Sequence, residues 1–180
     1  MTTEPAAAAD VTALLPVAAG HTLITGPSGS GRSRAMEMLW DIEHADPTIT
    51  TWVCDPTGIQ DPAVAARHER YAAGHQASVE LLAEARSLVE ARVAAVSDQQ
   101  DPFEPAEQSP LVSLSVDDAH LLLEDPQAMT SALWIASLGR SVRVVLRVAS
   151  TGSGITAMRS ERLVKQLTRR PPLALQRRTV

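Results

Sequence analysis

The chain has 180 residues and a formal net charge of −5, and its side chains are 44% apolar but only 3% aromatic. That length suits one domain whose core is built from Ala, Val, Leu and Ile. A single cysteine, Cys54, excludes an internal disulfide and a multi-cysteine zinc site. No apolar run approaches the roughly 20 residues of a membrane span, and with no signal-peptide pattern at the N-terminus a cytoplasmic protein is expected.

Residues 1–10 are rich in Ala and Thr and read as a disordered N-terminal extension, leaving residues 11–180 as the domain. Residues 21–25 (HTLIT) form a β-branched, apolar run and give the first predicted strand. The run Gly26-Pro27-Ser28-Gly29-Ser30-Gly31-Arg32-Ser33 comes next. Residues 34–42, starting at Arg34, then carry Met36, Leu39 and Trp40 at helical spacing. Strand, glycine loop and helix in this order are the setting of the phosphate-binding loop G-x-x-x-x-G-K-[ST], with Arg32 in place of its lysine. Glycines let such a loop turn tightly and aim its N–H groups at a polyphosphate. Ser33 offers a hydroxyl to Mg²⁺, and the helix presents its positive end. ATP and Mg²⁺ are the expected cofactors; a plain glycine turn is the alternative reading. Arginine keeps the lysine's charge on a larger, planar fork, so binding is expected to persist while hydrolysis is weak or absent.

Residues 49–54 read as strand two, with Cys54 a small buried side chain, closed by Asp55-Pro56-Thr57-Gly58. Residues 63–96 read as largely helical, with Val79, Leu82, Ala85, Val89, Val93 and Val96 repeating every three or four positions and Gly74 a candidate divider into two helices. Residues 97–110 are polar and proline-bearing, a surface loop. Strand three, residues 111–116, ends in Asp117-Asp118. From a strand expected to neighbour the loop strand, Asp117 would serve the metal, and Asp118 would stand where a second acid polarises the attacking water. Two acids capping a helix that begins near Ala119 are the alternative.

Residues 129–138 are helical and residues 141–149 form strand four, with Arg143 and Arg147 on one face. A central parallel strand should be apolar on both faces. The two arginines therefore point to a partly open face, an intersubunit surface, pairing with nearby acids, or plain exposure. Residues 161–167 give the last helix and residues 172–176 a short final strand. Alternating strands and helices imply an α/β sandwich around a mainly parallel sheet. Of the 16 basic residues, ten lie from Arg140 onward, a stretch with one acid, Glu161. Such a basic end suits nucleic acid or an acidic partner, or is a solvated face.

From about Leu14 onward the chain resembles the FtsK/SpoIIIE branch of P-loop ATPases, which includes DNA translocases and the EccC motors of type VII secretion. The marks are the GPSGSGRS loop, Cys54-Asp55-Pro56, the helix ending in Glu90-Ala91-Arg92, Val116-Asp117-Asp118, and Ile135-Ala136-Ser137-Leu138-Gly139-Arg140 before strand four. The resemblance implies a RecA-like three-layer P-loop NTPase fold. It also implies a catalytic set of Asp117, Asp118 and Arg140, the last as a candidate arginine finger reaching a neighbouring subunit. That in turn implies a homo-oligomeric, hexameric ring or partner ATPase subunits, acting on DNA or protein.

Four positions depart from the pattern: Arg32 for lysine, Asp118 for glutamate, Thr57 for the lysine of an Asp-Pro-Lys turn, and Thr151 for a sensor glutamine. The departures resemble the degenerate modules of EccC. They suit a motor domain with weakened hydrolysis or, alternatively, an inactive pseudo-ATPase that regulates a larger assembly. A small-molecule kinase is disfavoured, because no arginine-rich lid lies between the helices.

Overall fold

A computed structural model describes residues 20–99, 109–152, 158–169 and 172–176. The predicted extension, most of the 97–110 loop, and residues 153–157 and 177–180 lie outside the described residues. Six strands form one sheet: β1 (Thr22–Thr25), β2 (Ile49–Asp55), β3 (Arg70–Ala73), β4 (Leu111–Val116), β5 (Val144–Ser150) and β6 (Leu173–Ala174). Their order is β3-β2-β4-β5-β1-β6 and every pairing is parallel. The helices are α1 (Arg32–His44), α2 (Pro62–Ala65), α3 (His75–Gln99), α4 (Ala119–Leu122), α5 (Pro126–Leu138) and α6 (Glu161–Leu167), with a 3₁₀ turn at Gly139–Val142. Local chemistry sets several of their starts. Pro126 follows Asp125, whose carboxylate accepts from the N–H groups of Gln127 and Ala128, and the Ser160 hydroxyl caps α6 at Leu163.

Helices cover both faces, so the domain has three layers. On one face Leu23, Leu114, Val116, Val144, Leu146 and Val148 pack against Leu82, Ala85 and Val89 of α3, Ala132 and Ile135 of α5, and Leu163 and Leu167 of α6. On the other, α1 lays Ala35, Met36, Leu39 and Trp40 over Ile24, Val53 and Ala149. The strand periodicity accounts for the asymmetry: in β4 the apolar Val112, Leu114 and Val116 alternate with buried Ser113 and Ser115.

Three sequence expectations change. The 63–96 helix is interrupted by the edge strand β3, Gly74 dividing strand from helix rather than helix from helix. Arg70-Tyr71-Ala72-Ala73 has little strand propensity, and pairing with β2 from Trp52 to Asp55 overrides it. The strand of the acidic pair is not next to the loop strand, because β5 lies between β1 and β4. Strand four starts at Val144, leaving Arg143 in a left-handed conformation (φ 59°) before it.

Of the four readings offered for the strand-four arginines, pairing with an acid holds for Arg147. It is wholly buried against Glu43 of α1, with Nη2 2.9 Å from Oε1. The Ser113 hydroxyl donates to the same Oε1 at 2.7 Å, and Arg147 Nη1 donates to Thr22 Oγ1 at 3.0 Å. Arg92 has a structural role as well. Its guanidinium donates to the carbonyls of Val142, Arg143 and Pro110, tying α3 to the entries of β4 and β5.

Candidate nucleotide site

All strands run the same way, so β1, β2, β4 and β5 deliver their C-terminal ends to one edge of the sheet, where ligand sites of parallel α/β folds form. β1 delivers residues 26–33. Gly26 N–H donates to Ser150 O at 3.3 Å and Ser30 N–H to Pro27 O at 3.1 Å, which fixes the loop's curve. Gly31, with φ +91°, turns the chain into α1, a conformation that strains any residue with a Cβ. A Cβ on Gly26 would stand 2.3 Å from Ser30 Oγ and 2.8 Å from Leu175 O, so glycine is obligatory there. α1 starts at Arg32 with no side-chain cap and no acid in its first turn. Its first N–H groups therefore face the loop with the positive end of the helix dipole.

Two contacts join this loop to the acids at the end of β4. The Ser33 hydroxyl donates to Asp117 Oδ2 at 2.9 Å. Arg32 spans the mouth of the loop, Nη1 donating to Gly26 O at 2.6 Å and Nη2 to Asp118 Oδ1 at 2.7 Å. Asp117 Oδ1 accepts the Asp118 N–H at 2.9 Å. Burial pushes the Asp117 carboxyl above its usual range, against the lowering effect of the Ser33 and Asp118 hydrogen bonds. Asp118 sits at φ 41° before α4 and makes no side-chain cap. The capping alternative for that residue therefore fails, because its carboxylate is turned to Arg32.

Structure thus brings together residues 26–33, Asp117 and Asp118. Arg34 points away and pairs with Glu37 on the exposed surface of α1. Arg140 is exposed in the 3₁₀ turn before β5, at the opposite edge of the sheet from the loop. Thr57 hydrogen-bonds Asp55 through both its N–H and its hydroxyl. Burial raises the Asp55 carboxyl, but hydrogen bonds from Thr57, Tyr71, Gln60 and Gly58 outweigh it and hold Asp55 below its usual range.

That knotted turn presents a residue the sequence did not flag: Gln60 Nε2 donates to Asp117 Oδ2 at 3.4 Å. Only the adjacency of β2 to β4 could have flagged it. Leu175, just after β6, also went unmarked; its N–H donates to Thr25 O at 2.6 Å and walls the loop's flank.

The residues fit an anion. Two of the buried hydrogen-bond donors without an acceptor among the described residues, Ser30 Oγ and Arg32 Nε, belong to the loop. Buried donors of this kind cost free energy until something accepts from them. For a metal, Ser33 and Asp117 supply hard oxygens, and the described residues hold no group of three His, Cys, Asp or Glu side chains able to cage one. One hydroxyl, one carboxylate and substrate phosphates are how Mg²⁺ is usually held.

No family model and no curated protein matches the sequence. Solved structures do. EccC (ATPases 2 and 3) of Thermomonospora curvata, in complex with a signal sequence peptide, superposes with a TM-score of 0.70 at 17% identity, over 83% of this chain and 30% of that one. The cytoplasmic domain of EssC gives 0.65 at 16% identity, over 87% of this chain and 33% of that one.

The pCW3 conjugation coupling protein TcpA, a monomer form with ATPγS, gives 0.62 at 12% identity, over 83% and 47%. The fold is that of a P-loop ATPase domain. The chain spans less than half the length of each of these structures. In this chain the strand β5 lies between β1 and β4, and Ser33 and Asp117 meet across it.

Proposed function

We propose that the chain is the ATP-binding domain of an FtsK/SpoIIIE-like ring motor that moves DNA or protein, with hydrolysis weakened at Arg32 and Asp118. The observation that carries this reading is the closure of the P-loop onto the acids, Ser33 to Asp117 at 2.9 Å and Arg32 to Asp118 at 2.7 Å. Residues 26–33 would wrap the phosphates with N–H groups, Arg32 would add charge, and Ser33 and Asp117 would hold Mg²⁺. Bound with the nucleotide, that ion would offset phosphate charge. Asp118 would be the acid to polarise an attacking water, but its carboxylate is already engaged by the Arg32 guanidinium at 2.7 Å. Arg140 lies too far from its own loop to act there, which supports a role on a neighbouring subunit's nucleotide in a ring. The exposed basic residues Arg140, Arg162, Lys165 and Arg169 support an acidic partner or DNA. Among the described residues no helix is long and apolar enough to cross a membrane.

The second reading is a pseudo-ATPase that docks on an active motor, and the Arg32–Asp118 pair favours it. Steady-state ATPase assays with and without DNA separate the two. DNA-stimulated turnover abolished by Arg32→Ala supports the motor, and nucleotide binding without turnover supports the regulatory module.

A further inference from the structure

We infer that the loop is built to hold a nucleoside diphosphate in preference to a triphosphate, an inference that rests on the nucleotide reading above. The guanidinium of Arg32 is nine-tenths buried and divides its donors. Nη1 is taken by Gly26 O and Nη2 by Asp118, while Nε–H has no acceptor. Within residues 26–33 the other buried donor without an acceptor is the Ser30 hydroxyl. An anion seated in the N–H cradle satisfies both and leaves the Arg32–Asp118 pair intact. The α- and β-phosphates of a diphosphate need nothing more.

A third phosphate has to extend from the cradle toward the acids, and that gap is closed twice. Arg32 spans it to Asp118, and Ser33 reaches Asp117 directly. Seating a triphosphate therefore breaks a charge-assisted bond and frees a carboxylate, Asp118, to face a phosphate of the same sign. Metal in the same gap must part Ser33 from Asp117. Diphosphate binding accordingly depends little on Mg²⁺.

Calorimetric titration of the full chain with ADP, with ATP and with inorganic pyrophosphate, each in EDTA and in Mg²⁺, reads this directly. The expected result is ADP binding about tenfold or more tighter than ATP, a free-energy gap of about 1.4 kcal/mol, with Mg²⁺ changing the ADP affinity by less than about threefold. Asp118→Asn frees Arg32 while asparagine keeps the left-handed backbone at that position. It should tighten ATP about tenfold and ADP far less. ATP binding as tightly as ADP to the wild type, or an Asp118→Asn change that moves both nucleotides equally, overturns the inference and leaves the nucleotide reading standing. Binding of none of the three ligands overturns both. Arg32→Lys, which lacks the fork needed to reach both oxygens, should narrow the ADP/ATP gap independently of any change at Asp118.

Discussion

The two faces of the sheet differ in chemistry, one wholly apolar along its central strands and the other mixed. Toward α3, α5 and α6 the strands present Leu23, Leu114, Leu146 and Val148, a continuous apolar surface. Toward α1 they present Thr22, Thr51, Ser113, Ser115 and Arg147, all buried. The polar face is satisfied largely by the helix that leaves the P-loop: Glu43 takes Arg147 and Ser113, and Trp40 Nε1 donates to Ser115 Oγ at 2.8 Å. Apolar contact is tolerant of sliding, whereas a buried ion pair accepts one alignment. Both faces bury apolar side chains, but the α1 face also carries the polar contacts that fix where α1, and with it Arg32 and Ser33, must stand.

The largest effect should come from splitting the buried pair. Arg147→Met leaves Glu43 charged and unpaired inside the protein and is expected to cost about 3–5 kcal/mol in denaturant unfolding. Removing both charges, Glu43→Leu with Arg147→Met, should restore most of that stability, because paired burial gains little over apolar packing. The double variant is nonetheless expected to bind nucleotide more weakly, since α1 loses its register. Leu146→Ala, on the apolar face, should do the reverse: a loss of about 3 kcal/mol with nucleotide affinity nearly unchanged. A double variant that binds as tightly as the wild type removes the distinction between the faces.

The next effect depends on pH and belongs to the apolar side, where His21 is a buried titratable residue. Its Nδ1 accepts the Leu146 N–H at 2.9 Å and its Nε2 therefore donates to Ala136 O at 3.1 Å. Burial first, then the charges of Arg140 and Arg147, bring its pKa down from the usual 6.5 to about 4. A depressed histidine means that the unfolded chain takes up the proton first. Stability should be complete above pH 6.5, fall as pH drops toward 4, and lose about 3 kcal/mol by that point. His68, also lowered to about 4 chiefly by burial, falls in the same window. Chemical denaturation from pH 7.5 to 4.5 should therefore show a slope that His21→Asn reduces. The smallest effect is expected at the surface, where Arg34→Ala removes an exposed pair with Glu37 and should change stability by less than about 0.5 kcal/mol.

Much of the candidate site's geometry was legible because the glycine loop and Asp117-Asp118 are local motifs that need only a strand on one side and a helix on the other. The apolar face was legible for the same reason, Val79, Leu82, Ala85 and Val89 repeating with helical period and packing as that period requires. What escaped depends on partners distant in sequence. Glu43 and Arg147 are 104 positions apart, and neither advertises the other. Four residues of β3 look helical until β2 offers them hydrogen bonds. Gln60 and Leu175 reach the loop region through strand order, a property no short window contains.

The central claim is that residues 26–33, held against Asp117 and Asp118, accept the phosphates of a nucleotide. Amide NMR of the labelled chain during ADP titration tests it at single-residue level. The account predicts saturable shifts centred on Gly29, Gly31, Arg32 and Ser33, spreading to Asp117 and Asp118 and leaving the α3–α5 layer still. Amides of the loop that stay fixed at saturating ADP, or shifts centred elsewhere in the domain, would contradict it.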